Sequence, residues 1–266
     1  MTTLTRLLIS LIPCIFNLPT YAQDSLKTDF SSTISAEQIC LLSHLTEYSA
    51  VTNFLEHNLL NFHVGNHYTL EELTNLNLNY VLKWKENRFH FGMNHFGYSQ
   101  FGLLDCKVGF SKIFNRKISF SLDFFYRFKH VVNVQSKNAI TFSLSFYGKI
   151  NNKMGMGFYL YNPIKSSYLE SKLFKIPIIM KVLGIYAINK NMIITGELKK
   201  ELPGYFDFIF STLIHHKYLG FSFDFSSKNI GFGVYCHYKN IFLKTKYSYH
   251  YLLGGSPEMQ LTYIWH

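Results

Sequence analysis

His63 and His67 stand four residues apart, the spacing with which a helix would offer two imidazoles to one metal ion. On a β-strand the same two side chains share a face but lie about 13 Å apart, at ~3.3 Å per residue, too far to bind one ion as a pair. His215 and His216 are adjacent, so on a strand they point to opposite faces. The alternation of residue types around both pairs is that of strands, so neither a metal nor a cofactor is expected.

A second set of residues could carry nucleophilic chemistry. Gly254-Gly255-Ser256-Pro257, with His250 and Glu258 close by, supplies a hydroxyl, a base and an acid. The spacing is not the G-x-S-x-G of a nucleophile elbow, and Pro257 suits a loop before the final strand. A membrane-embedded lipid hydrolase with Ser256 as nucleophile is therefore an alternative reading, and the chain is expected not to be an enzyme. A third set is ionic. Asp105, Lys107, Glu197, Lys199, Lys244, Lys246 and His250 fall on a common register of their strands. They are candidate lumen-lining residues, expected to pair and fill an interior rather than to line a passage.

The elements that would position these groups are strands. From Lys117 to Phe128 the chain reads K-I-S-F-S-L-D-F-F-Y-R-F, with Ile118, Phe120, Leu122, Phe124, Tyr126 and Phe128 on one parity and mostly polar residues on the other. A period of two gives a strand with one oily and one wet face. The pattern recurs through residues 58–69, 74–85, 88–99, 102–114, 116–129, 139–149, 153–162, 176–187, 191–201, 205–215, 218–226, 229–238, 241–251 and 258–266. Fourteen strands near ten residues long, with tight turns such as Asn115-Arg116 and Lys239-Asn240 after the even ones, predict an all-β transmembrane antiparallel barrel. Longer connections are expected at Val131–Asn138, Asn162–Lys175 and Leu252–Pro257.

The faces follow from the parity. Leu76, Leu78, Tyr80, Ile140, Phe142, Phe221, Phe223, Phe232 and Cys236 are expected toward lipid. Asn75, Asn77, Asn79, Ser143, Ser145, Gly155, Asp224 and Gly231 are expected inside. The aromatic content of 18%, with 26 Phe and 19 Tyr, suits lipid-facing strands with aromatic girdles better than one soluble core.

The first residues carry one charge at Arg6, then an apolar run from Leu7 to Leu18, then Thr20-Tyr21-Ala22. That is the pattern of a secretory signal peptide over residues 1–22, cut after Ala22, and the run is too short to span a membrane. After the cut Cys40, Cys106 and Cys236 remain. An odd count with no CxxC spacing is no disulfide framework, and Cys106 and Cys236, on the apolar faces of their strands, are expected as small buried apolar side chains. Ser35-Ala36-Glu37-Gln38 has the form of a capping box and opens a helical or irregular N-terminal segment, residues 23–57, that precedes the barrel of 58–266. The net charge of +10 is read as attraction to lipopolysaccharide and outer-membrane lipid headgroups, not to nucleic acid.

Several short motifs carry a resemblance. Asn87-Arg88-Phe89-His90-Phe91-Gly92-Met93-Asn94-His95-Phe96-Gly97-Tyr98, Gly109-Phe110-Ser111-Lys112, Tyr161-Asn162-Pro163, Glu197-Leu198-Lys199-Lys200-Glu201-Leu202, and Tyr247-Ser248-Tyr249-His250 followed by Leu253-Gly254-Gly255-Ser256-Pro257 resemble, in that order, the landmarks of PorV/PorQ-like outer-membrane barrels, relatives of the FadL fatty-acid channels. The resemblance implies a bacterial outer-membrane location. It also implies a role as a scaffold or partner in export or envelope machinery of the type IX secretion kind, with a secretion or envelope protein as partner. A FadL-like channel for small hydrophobic molecules is the alternative. Such barrels often pack an N-terminal segment ending in Asn-Pro-Ala inside the lumen. Here the corresponding stretch is Thr52-Asn53-Phe54-Leu55-Glu56-His57, without Pro or Gly, which argues against a hatch of that kind.

Overall fold

The computed structural model describes residues 48–55, 57–168 and 176–265. The expected signal peptide, the capping box at Ser35 and Cys40 lie outside the described residues. Within them, fourteen antiparallel strands close into one barrel: β1 (Asn58–Asn66), β2 (Thr74–Trp84), β3 (Asn87–Tyr98), β4 (Phe101–Phe114), β5 (Ile118–Val131), β6 (Val134–Lys149), β7 (Met154–Tyr161), β8 (Ile178–Asn189), β9 (Met192–Leu202), β10 (Phe206–His216), β11 (Leu219–Ser226), β12 (Asn229–Tyr238), β13 (Ile241–His250) and β14 (Gly254–Trp265). Each strand pairs with its sequence neighbours, and β1 pairs with β14 from Asn58↔Trp265 to Gly65↔Glu258, so no edge is left open. Closure is what lipid demands, because an unpaired backbone group there cannot reach water.

The alternation sorts the side chains as charge and hydropathy require. Phe221, Phe223 and Phe225 are exposed on the outer face of β11, while Gly220 and Ser222, on the alternate positions, are buried. Trp84, Tyr186, Tyr238 and Tyr263 ring the outside at the end where β1 starts and β14 stops, and Tyr98, Tyr126, Tyr249 and Tyr251 ring the far end. These are the amphipathic side chains suited to the two headgroup levels. Cys106 and Cys236 are free thiols on this outer, lipid-facing wall, Cys236 being exposed, so they are not buried in a protein core as expected.

Two expected loops are strand. β6 begins at Val134, which shortens the connection after β5 to Val132-Asn133, and β14 begins at Gly254, leaving Tyr251–Leu253 as the turn. Pro257 pairs with Tyr247 inside that strand rather than sitting in a loop before it. The longer connections are residues 67–73, with two 3-10 turns (His67–Thr69 and Glu71–Leu73), and residues 162–177. β1 accordingly ends at Asn66, short of the expected residue 69. The Asn115-Arg116 turn places both residues at positive φ, 48° and 53°, the geometry that joins two strands without splaying them.

Gly155 on β7 faces inward beside Tyr147 of β6, and a Cβ there would fall onto the Tyr147 hydroxyl. The glycine lets the tyrosine lie flat against the wall and keeps the lumen clear of its ring. The N-terminal segment contributes one helical turn, α1 (Ser49–Thr52), whose residues are all buried.

Candidate functional site: the lumen and the segment inside it

A wall of small side chains makes room for α1. Ser111 of β4, Ser119 and Ser121 of β5, and Ser143 and Ser145 of β6 are buried on the inner face, where bulky residues would fill the space themselves. Residues 48–55 lie against that wall. The segment therefore occupies the lumen, although it lacks the Asn-Pro-Ala ending. Its polar groups are anchored one by one. The Ala50 N–H donates to Ser145 Oγ at 3.0 Å, and Asn53 Nδ2 donates to Ser119 Oγ. Ser111 Oγ donates to Asn53 Oδ1 at 2.9 Å. A serine has one hydroxyl proton, so Ser111 must accept from His90 Nε2 at 2.7 Å, which sets the His90 tautomer. Arg88 Nη2 donates to the Leu55 carbonyl where the segment leaves the barrel toward β1. At the other end of the segment the Tyr48 hydroxyl donates to Glu197 Oε2 at 2.9 Å.

The rest of the segment is held by rings and apolar contacts. Tyr48 meets Tyr159 edge to face at 5.7 Å, and Phe54 meets Tyr147 at 5.3 Å. Val51 and Leu55 join one buried apolar cluster with Leu59, Val81, Leu183, Ile185, Ile193, Leu213, Phe242 and Ile264. These wall residues face inward, mostly in the half of the barrel that carries both termini. A cavity of about 10 Å³, room for roughly one water, is left between Thr52, Leu59, Val81, His90 and Lys107.

The far half of the lumen is ionic, and it contains most of the expected lining residues. Arg127 grips Asp105 with two hydrogen bonds, 2.7 Å from Nε and 2.6 Å from Nη2, and lies over the Tyr161 ring at 5.6 Å. Across the barrel, Lys246 Nζ sits 3.0 Å from Asp224 and 3.9 Å from Glu258, which in turn faces His63 at 3.5 Å. Lys244, one inward position along β13 from Lys246, is buried. Lys107 lies beside Gly92 and His90, and Lys199 sits in register between Lys181 and Asp207. Glu197 is deep in the wall, 3.4 Å from Lys181 Nζ. His250 acts locally. Its Nδ1 accepts the Leu252 and Leu253 N–H groups, both at 3.2 Å, and so caps the turn into β14.

The metal candidates scatter. His63 pairs with Glu258, His67 leaves the strand and packs edge-on against Phe96 at 6.2 Å, and His215 stacks on Tyr235 at 5.7 Å while His216 faces out. Among the described residues no group of three His, Cys, Asp or Glu is placed to hold a metal ion. Ser256 Oγ accepts the Tyr68 N–H at 3.0 Å, a contact that ties the β1–β2 connection to β14.

Sequence reasoning did not single out Tyr48, Asn53, Phe54, Arg88, Tyr147, Tyr159 or Lys181. The signal for the segment's seat was present in the five inward serines of β4–β6, a run of small residues on three adjacent strands, although Ser211, Ser222 and Ser256 are small inward residues elsewhere on the wall.

No family model matches the chain, and no curated protein matches it in sequence. Solved structures do. The CymD monoaromatic hydrocarbon channel superposes with a TM-score of 0.61 at 8% identity, over 88% of this chain and 94% of that one. The toluene transporter TodX of Pseudomonas putida gives 0.60 at 11% identity, over 88% and 94%. At these identities the likeness is one of fold. The chain has the closed fourteen-stranded fold of these outer-membrane barrels, and no family model ties it to PorV.

Proposed function

We propose that this chain is an outer-membrane channel for small hydrophobic molecules, closed in the present state by its own residues 48–55. One observation carries the reading: a stretch of chain that belongs to no strand lies inside the barrel, seated on the serine wall of β4–β6 and packed against the apolar inner lining. A plug of that kind can leave without unfolding a strand. Its anchors are single hydrogen bonds, each with a net contribution of about 1 kcal/mol, rising to ~1.5–3 where a charged group takes part. The ionic far half then faces the outside and admits solutes to the apolar half, while both barrel termini lie in the periplasm. Outer-membrane lipid and lipopolysaccharide surround the aromatic girdles.

The channel alternative displaces the export scaffold as the leading reading. A scaffold has no use for an apolar inner lining beneath a seated segment, whereas a hydrophobic solute needs an apolar surface once that segment leaves. Uptake of a labelled small hydrocarbon by proteoliposomes containing the purified full chain, compared with protein-free vesicles, tests it. Uptake above the bare lipid rate is the expected result. An unchanged rate, together with a stable envelope protein captured on the barrel, would return the scaffold reading.

A further inference from the structure

The plug puts two aromatic rings on the wall, and both are met in the same way. Tyr48 lies edge to face on Tyr159 with centroids 5.7 Å apart and planes at 60°, and the Lys181 ammonium stands 5.9 Å from each of the two rings. Phe54 lies on Tyr147 at 5.3 Å and 66°, with the Lys149 ammonium 3.9 Å over its face. An edge-to-face tyrosine and a cation over the π-cloud are the contacts that select an aromatic ring over an aliphatic one. The first seat has one more element. The Tyr48 hydroxyl donates to Glu197 Oε2 at 2.9 Å, and Glu197 is itself buried at 2% exposure.

We propose that Tyr159, Lys181 and Glu197 form a binding site for phenols, occupied in the closed state by the phenol of Tyr48. The tyrosine side chain is p-cresol attached to a backbone, so the wall already displays the contacts that a free phenol would make. Phe54 carries no hydroxyl, and its seat is the counterpart for an unsubstituted ring. A ligand that takes the Tyr48 seat removes one anchor of the plug, which couples binding to opening. Discrimination comes from the carboxylate. A phenol O–H can donate to Glu197 Oε2 as Tyr48 does, a charge-assisted bond that a hydrocarbon ring cannot make. The inference rests on the channel reading for the reason a solute reaches the lumen, but binding is measured without transport.

The test uses the full chain in detergent micelles with 4-fluorophenol and fluorobenzene as probes, read by fluorine NMR titration. In Tyr48→Ala the seat is vacant, and 4-fluorophenol should bind at least about tenfold more tightly than fluorobenzene, the weak end of what a hydrogen bond to a charged group contributes. In Tyr48→Ala/Glu197→Gln the preference should shrink to about threefold, because a neutral acceptor makes a weaker bond than an ionised one. Equal binding of the two probes in Tyr48→Ala, or a preference undiminished by Glu197→Gln, overturns the proposal. Tyr48→Phe guards against a folding defect, since it keeps the ring and loses only the hydroxyl. It should bind 4-fluorophenol more tightly than the unsubstituted protein, and equal affinity would also overturn the proposal. Flux separates the two claims: phenol binding without vesicle uptake sinks the channel and keeps the site, and hydrocarbon uptake without phenol preference does the reverse.

Discussion

Asn53→Ala isolates the seating of the plug from everything else in the barrel. The side chain makes two contacts with the wall, donating from Nδ2 to Ser119 and accepting at Oδ1 from Ser111. Both serines are fully buried, so truncation removes two hydrogen bonds and leaves two hydroxyls to find new partners. Ser111 keeps His90, which limits the loss on that side. One buried neutral pair contributes about 1 kcal/mol and an orphaned hydroxyl costs ~1–3, so the plugged state should lose roughly 2–3 kcal/mol relative to the open one. At 1.4 kcal/mol per factor of ten, the population of the unseated segment should rise about thirtyfold to a hundredfold. Amide hydrogen exchange reads that population directly. The Val51, Phe54 and Leu55 N–H groups are bonded to Tyr48, Val51 and Thr52 carbonyls within the segment, so they exchange when it leaves its seat and unwinds. Their protection should fall by that factor while the amides of β4, β5 and β6 keep theirs. Unchanged protection in residues 51–55, or an equal loss in the neighbouring strands, would refute the idea of a plug seated independently of the wall.

Other perturbations separate the inner from the outer wall. Lys246→Met leaves Asp224 and Glu258 without the ammonium between them, and breaking a half-buried pair should cost about 2–3 kcal/mol in a denaturant titration of the folded barrel, between the exposed and the fully buried case; a change below about 1 kcal/mol would mean that Lys244 and His63 hold the two carboxylates without it. Phe223→Arg, on the lipid side of β11, should destabilise the barrel in bilayers by about 2–4 kcal/mol, whereas the same substitution would be mild if that face packed against water. Gly155→Ala should cost about 1–3 kcal/mol because Tyr147 must leave the wall, and in a Tyr147→Ala background the same substitution should cost little.

What could be read from the sequence tracks where the membrane is. Residues 118–128 alternate because one face meets lipid and the other does not, and the same pressure marks each strand across the apolar band. Beyond the band it lapses. Val134 to Asn138 extends β6 as V-Q-S-K-N with no oily face, so it resembles a loop by composition although it pairs with β5. Gly254 to Pro257 failed for a related reason. Turn residues in a row suggest a loop, yet Tyr68 donates to Ser256 Oγ, and Pro257, Ser256 and Gly255 continue the ladder opposite Tyr247, Ser248 and Tyr249. The lining charges were found by parity alone, but parity does not choose partners. Asp105 meets Arg127 and Glu197 meets Lys181 because neighbouring strands set their register, which depends on turn lengths and on the bulge between Ala187 and Asn189. The plug had no period to betray it. Its single helical turn is too short to show one, and its place is set by space that the serines leave on three other strands.

Whether residues 48–55 close a passage can be decided with a reversible tether. Ala50→Cys with Ser145→Cys joins positions that already touch, the Ala50 N–H lying 3.0 Å from Ser145 Oγ. Proteoliposome uptake of a labelled small hydrocarbon is then measured with the pair oxidised and after reduction. Oxidation should abolish uptake, and reductant should restore it to the rate of the unsubstituted chain. Equal uptake in both states, with the disulfide shown to have formed, would contradict a plug that must leave its seat for the channel to open.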